Sequence, residues 1–107
     1  MKLSELILKG APSIIQTRGF TLQAHKVSNV GCAIGAAVVG LRGVQQSDWM
    51  LYDAERALAD VEGIDKPVTC DCGEKCETAV NYVVHLNDGA HKYNFGQIVI
   101  ELEKRGL

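Results

Sequence analysis

Three absences narrow what this chain can be. It has no surplus of basic charge: eleven Lys and Arg stand against thirteen Asp and Glu, a formal net charge of -2. A protein that grips the phosphate backbone over a broad face needs the opposite balance, so an extended nucleic-acid footprint is excluded. Only Lys104 and Arg105, adjacent near the C-terminus, leave room for a local basic patch. The chain also has no long apolar run. Its richest, Val30 to Leu41, falls well short of the ~20 residues that cross a bilayer. Finally, it has no phosphate loop and no G-x-G-x-x-G fingerprint; the glycines around Cys32 reproduce neither.

Smaller absences point the same way. With two prolines and no linker, repeat or low-complexity stretch, residues 1–107 read as a single domain. The opening MKLSELILKG carries Glu5 and Lys9 inside its apolar pattern and lacks a cleavage-type ending, so it does not read as a signal peptide. The expectation is a cytoplasmic protein without membrane engagement, whose thiols stay reduced.

What the chain does contain is concentrated. Three of its four cysteines fall in Cys70-Asp71-Cys72-Gly73-Glu74-Lys75-Cys76, and His85 and His91 follow closely. Thiolate and imidazole together suit a borderline-soft cation, zinc first. Cys70 and Cys72 are too close in sequence for an easy mutual disulfide. If Glu77 to Leu86 forms one helix, Cys76 and His85 stand about 13.5 Å apart along its axis and make poor companions on one ion. Two ligand sets then remain. One places Cys70, Cys72 and Cys76 at the head of that helix with His25, His91 or a carboxylate. The other joins Cys70 and Cys72 to His85 and His91, and requires the chain to fold back at Asn87 to Gly89. The second is the more defensible, with Cys76 as the alternate ligand and a structural zinc as the cofactor. Neither C-x-C nor C-x3-C is the common C-x2-C knuckle.

The remaining pattern is mainly helical. Leu3, Leu6 and Ile7 mark a first helix with Ser4 near its start and Gly10 at its end; Ile14 and Ile15 follow the same apolar spacing. Gly19 to Val27 alternates apolar and polar residues, as a short strand or hairpin does. Arg18 and Lys26 read as solvated charges, and His25 as a surface residue. Val30 to Leu41 is apolar all round and reads as a buried central helix, in which Gly31, Gly35 and Gly40 let neighbours approach closely. Ser47 or Asp48 would cap a helix to about Glu62 whose inner face holds Trp49, Leu51, Tyr52, Ala54, Leu58 and Val61. Lys66 and Pro67 lead into a cysteine-rich loop. A helix from Glu77 to about Leu86 follows, ended by Asn87, Asp88 and Gly89. The last helix opens on an Asn94–Gln97 capping box and stops at Gly106. The fold class expected is a small single-domain helical bundle with a short hairpin or strand and a cysteine-rich loop.

A second chemistry competes with the metal. Cys32 at a helix N-terminus, His85 as base and Asn87 or Asp88 as orienting group would suit a small cysteine-dependent enzyme. The simpler reading of Cys32 is a small buried hydrophobe.

The segment Gly31-Cys32-Ala33-Ile34-Gly35-Ala36-Ala37 together with His85-Leu86-Asn87-Asp88 resembles a group of small, largely uncharacterised bacterial and phage proteins. Those show an N-terminal helix, a G-x-C-A-L-G-A-A segment, a C-P-x-C knuckle, an H-L-N-D motif, a second histidine and a terminal amphipathic helix. This chain departs from the pattern with Cys70-Asp71-Cys72, an added Cys76 and a longer spacer before His91. The resemblance implies that the C-x-x-G-A segment and Asn87-Asp88 are scaffold, and it supplies no activity. The functional expectation is a zinc-binding interaction module whose partner is a protein rather than nucleic acid. If the protein is phage-borne, a host or defence protein is a reasonable target.

Overall fold

A computed structural model describes residues 1–25 and 28–107. Lys26 and Val27, the end of the expected hairpin and one partner of the Arg18–Lys26 pair, lie outside the described residues. Among the described residues there are five α-helices. Helix α1 (Leu3–Gly10) begins where the Glu5 carboxylate accepts the Lys2 N–H at 2.9 Å, and it buries Leu3, Leu6 and Ile7. It crosses α2 (Ala33–Arg42), whose residues Ala33 to Gly40 are all buried.

Glycine decides how close that crossing is. A Cβ at Gly40 would stand 2.0 Å from the Leu6 carbonyl oxygen, and one at Gly10 would stand 1.9 Å from the Ala36 oxygen. The two backbones therefore touch directly, which no other residue type allows. Gly35 does the same against the loop before β2, where a Cβ would meet the Thr21 oxygen at 2.0 Å. The glycines expected to admit neighbours do so.

A three-stranded mixed sheet lies beside α2. Its strands are β1 (Ile14–Gln16), β2 (Leu22–His25) and β3 (Ser28–Gly31), with β3 central, parallel to β1 and antiparallel to β2. Two expectations change here. Ile14 and Ile15 leave the helical pattern for β1, with Ile15 62% exposed, and Val30 and Gly31 belong to β3 rather than to the central helix. Pro12 sits in the 3-10 turn that separates α1 from β1. The buried Asn29 ties β3 to the following loop, accepting the Gln45 N–H at 2.8 Å and donating to the Gln45 oxygen at 3.0 Å.

Helix α3 (Leu51–Ala57) is shorter than its sequence pattern suggests. Asp48 is not its cap; the carboxylate accepts the Ala24 N–H at 2.8 Å, and Trp49 pairs with the edge of β2. The cap position falls to Met50, whose N–H is accepted by Asp53. The helix ends at Ala57 with Leu58 as its C-cap, not near Glu62, and Tyr52 faces outward at 65% exposure beneath the Arg56 guanidinium.

The stretch expected as a cysteine-rich loop is a hairpin of β4 (Val68–Thr69) and β5 (Lys75–Cys76). Helix α4 (Ala79–Asp88) starts two residues later than expected because Thr78 caps it, its hydroxyl accepting the Asn81 N–H at 3.1 Å. Asn87 and Asp88 therefore lie inside the helix and Gly89 ends it. Helix α5 (Phe95–Glu103) opens on the expected capping box: the Asn94 side chain accepts the Gln97 N–H at 2.8 Å and the Gln97 side chain accepts the Asn94 N–H at 2.9 Å. The C-terminal basic pair forms no free patch, since Lys104 pairs with Glu101 at 2.7 Å and Arg105 with Asp71 at 2.9 Å. No helix among the described residues is long and apolar enough to cross a membrane.

Candidate metal centre

The turn of the β4–β5 hairpin presents two cysteines to the end of α4. The Cys70 N–H donates to the Glu74 oxygen at 2.8 Å and the Gly73 N–H to the Cys70 oxygen at 2.8 Å, and Gly73 takes the left-handed conformation that so tight a turn needs. Cys70 is buried and Cys72 exposed. From the other side, α4 carries His85 on its last turn, and the chain reverses directly after it. The Gly89 N–H donates to the His85 oxygen at 3.0 Å and the Tyr93 N–H to the Leu86 oxygen at 2.9 Å, which folds His91 back over the helix end. Lys92 absorbs that reversal with a positive φ of 49°, and its carbonyl accepts the Arg18 guanidinium at 2.8 Å. A left-handed non-glycine held by a long-range hydrogen bond marks a position fixed by its surroundings.

The four side chains converge. One ligand atom from each of Cys70, Cys72, His85 and His91 lies within 4.8 Å of the other three. Cys70 Sγ stands 3.4 Å from His91 Nε2, and Cys72 Sγ stands 3.4 Å from His85 Nε2. Zinc at about 2.3 Å from sulfur and about 2.0 Å from nitrogen, with tetrahedral angles, sets sulfur and nitrogen about 3.5 Å apart. The two observed contacts are edges of such a tetrahedron. The imidazole rings meet edge to face, with centroids 4.9 Å apart and planes at 82°, so both can direct a nitrogen to one point without stacking. Sulfur and nitrogen in equal number suit zinc among the common divalent ions.

Arg105 braces the hairpin from α5. Its guanidinium donates to the Asp71 carboxylate at 2.9 Å and to the Glu101 carbonyl at 3.1 Å, and it lies 4.8 Å over the Tyr82 ring. Asp71 sits between the two cysteines, so the cation fixes the C-x-C segment. Burial pushes the Cys70 thiol above its ordinary range, and the Arg105 charge pulls it back in part. Tyr82, on α4 one turn before His85, is fully buried with its hydroxyl unpartnered, and burial holds that phenol neutral. No sequence pattern marks Arg105, which lies in the turn just past α5.

The other candidates fall elsewhere. Cys76 is paired with Val68 in β5 and stays outside the four-residue cluster, as the helix-length argument requires. His25 is exposed at the end of β2. Cys32 is 2% exposed at the N-terminus of α2, and burial pushes its thiol up despite the nearby helix amides. That is the opposite of an activated nucleophile. His85 directs its Nε2 at Cys72.

Asn87 and Asp88 are structural hubs. Asn87, fully buried, accepts the Gln16 side-chain amide at 2.8 Å and the Ala33 N–H at 3.1 Å, and donates to the Thr17 oxygen at 2.9 Å and to Asp88. It caps α2 from across the fold, which the sequence pattern of α4 does not disclose. Asp88 accepts the Gly19 N–H at 3.0 Å.

No family model, curated protein or solved structure matches this chain.

Proposed function

We propose that Cys70, Cys72, His85 and His91 hold one zinc ion that fastens the hairpin to the end of α4, and that the domain so fastened is a binding module for another protein. The convergence of four ligand atoms within 4.8 Å carries the first half. The ion is structural on this reading, because four protein ligands leave no open position for substrate. It would hold the two thiols as thiolates and lock His91 against the helix end.

The second half is supported by charge and surface. An acidic balance disfavours nucleic acid, while Phe20, Met50 and Tyr52 stand 54%, 73% and 65% exposed and offer apolar contacts. A cytoplasmic setting keeps the thiols reduced, and the resemblance to bacterial and phage proteins makes a host or defence protein a fitting target. Elemental analysis of untagged protein purified without chelator tests the metal: the expected result is one zinc per chain, and metal-free protein would sink the proposal. Salt-sensitive retention on DNA would overturn the choice of a protein partner.

A further inference from the structure

A cavity of about 510 Å³ is bordered by Val84 and Asp88 of α4 and contains none of the four candidate ligands in its lining. It is ligand-sized, within the roughly 300–1,000 Å³ typical of small-molecule sites. Its apolar walls are Phe20, Leu22, Cys32, Trp49, Leu51 and Val84, which come from four separate segments of the chain. Cys32 and Leu22 are buried, while Phe20 is more than half exposed at the edge. The charged groups that line it are two carboxylates, Asp48 and Asp88, with the polar side chains of Thr21 and Gln23 beside them.

Each carboxylate has capacity to spare. Asp48 accepts the Ala24 N–H through Oδ1, and Asp88 accepts Gly19 and Asn87 through Oδ1. Neither Oδ2 accepts a hydrogen bond, and neither residue is in an ion pair, among the described residues. Two backbone donors at the start of α2 are already used: the Cys32 N–H goes to the Phe20 oxygen at 2.9 Å and the Ala33 N–H to Asn87. Asp88 also sits on the last turn of α4, at the negative end of the helix dipole. The cavity thus offers an apolar body site with acceptors and negative charge at its polar side.

We infer that this cavity binds a small apolar primary amine, its hydrocarbon or aromatic part against Trp49, Leu51 and Val84 and its ammonium between Asp48 and Asp88. The inference is independent of the metal centre. Trp49 is the only tryptophan in the chain; it borders a second cleft with Arg42 as well, and Asp88, which lines this cavity and not that one, tells the two apart.

The test titrates the full-length protein with 2-phenylethylamine and, separately, with phenylacetate, which has a similar body and the opposite charge. The amine is expected to change Trp49 emission saturably, with a dissociation constant on the order of 1 mM as suits so small a ligand. Phenylacetate should bind at least about tenfold more weakly, since it meets like charge. Asp48→Asn and Asp88→Asn keep the acceptor oxygen that each backbone N–H uses, and each should weaken amine binding about fivefold. The inference is overturned if neither compound gives a saturable change, if the acid binds as well as the amine, or if both variants bind the amine like the parent.

Discussion

Where α1 crosses α2, backbone meets backbone: Gly10 and Gly40 bring carbonyl and Cα into contact, and every wall residue from Ala33 to Gly40 is buried. Elsewhere a hairpin of two-residue strands meets a helix terminus through four side chains, one of them exposed. The first region is held by packing that needs nothing added. The second has little apolar mass to order it, and its side chains gain most from a shared ion. A short hairpin is marginal alone, so on the proposed reading metal and packing would divide the work of holding this small chain together.

Removing the ion should separate the two regions most clearly. With chelator, the account expects a loss of at least about 4 kcal/mol, the linkage expected for an ion present at about a thousand times its dissociation constant. By hydrogen exchange, amides of residues 68–76 and 89–93 should lose protection first while those of α1 and α2 keep theirs. Equal loss in both regions would erase the distinction. The reverse experiment is Gly40→Ala, which drives a methyl into the Leu6 carbonyl. Its cost should approach or exceed about 3 kcal/mol in a urea unfolding curve, with zinc content unchanged.

Asn87 joins the two regions, and its replacement should show both. Asn87→Ala leaves the Ala33 N–H and the Thr17 oxygen without their side-chain partner, a loss of about 2–3 kcal/mol measured by denaturation. Cys32 adds a pH signature on the packed side. Its folded thiol ionises above its unfolded value, so the unfolded chain releases its proton first. Stability from this group is intact below about pH 8.5 and falls by up to about 1.4 kcal/mol for each further pH unit until the folded thiol ionises too. Cys32→Ala should flatten that alkaline limb of a stability–pH profile. The smallest effect on stability belongs to Arg105→Ala: about 1 kcal/mol or less, yet roughly tenfold weaker zinc in a competition titration, as expected when an outer partner of a ligand segment is removed.

How far the sequence discloses these features depends on the range of the interactions. The ligand cluster is legible because C-x-C and two histidines are chemistry written in residue types, and helix rise makes Cys76 a poor companion of His85, although it leaves Cys76 open as an alternate ligand. The Asn94–Gln97 box is legible because both partners lie within one turn. Strands β1 and β3 are not: three or four residues carry no readable period, and their parallel pairing is made by contacts with α2 and the Asn87 side chain. Ile14 and Val30 therefore look like parts of the helices beside them. Helix α3 stops early although its apolar pattern continues, because Leu58 and Val61 reach the core from a turn as well as from a helix. Asn87 and Arg105 act on segments about 54 and 34 residues away in sequence, beyond any local pattern.

The central claim, that Cys70, Cys72, His85 and His91 form one tetrahedral site, is tested most directly by cobalt titration of chelator-stripped protein. The account predicts a tetrahedral visible spectrum with thiolate charge-transfer bands that saturates at one equivalent, is lost in Cys72→Ala and His91→Ala, and survives in Cys76→Ala. An octahedral spectrum, or one that persists without His91 and vanishes without Cys76, would contradict it.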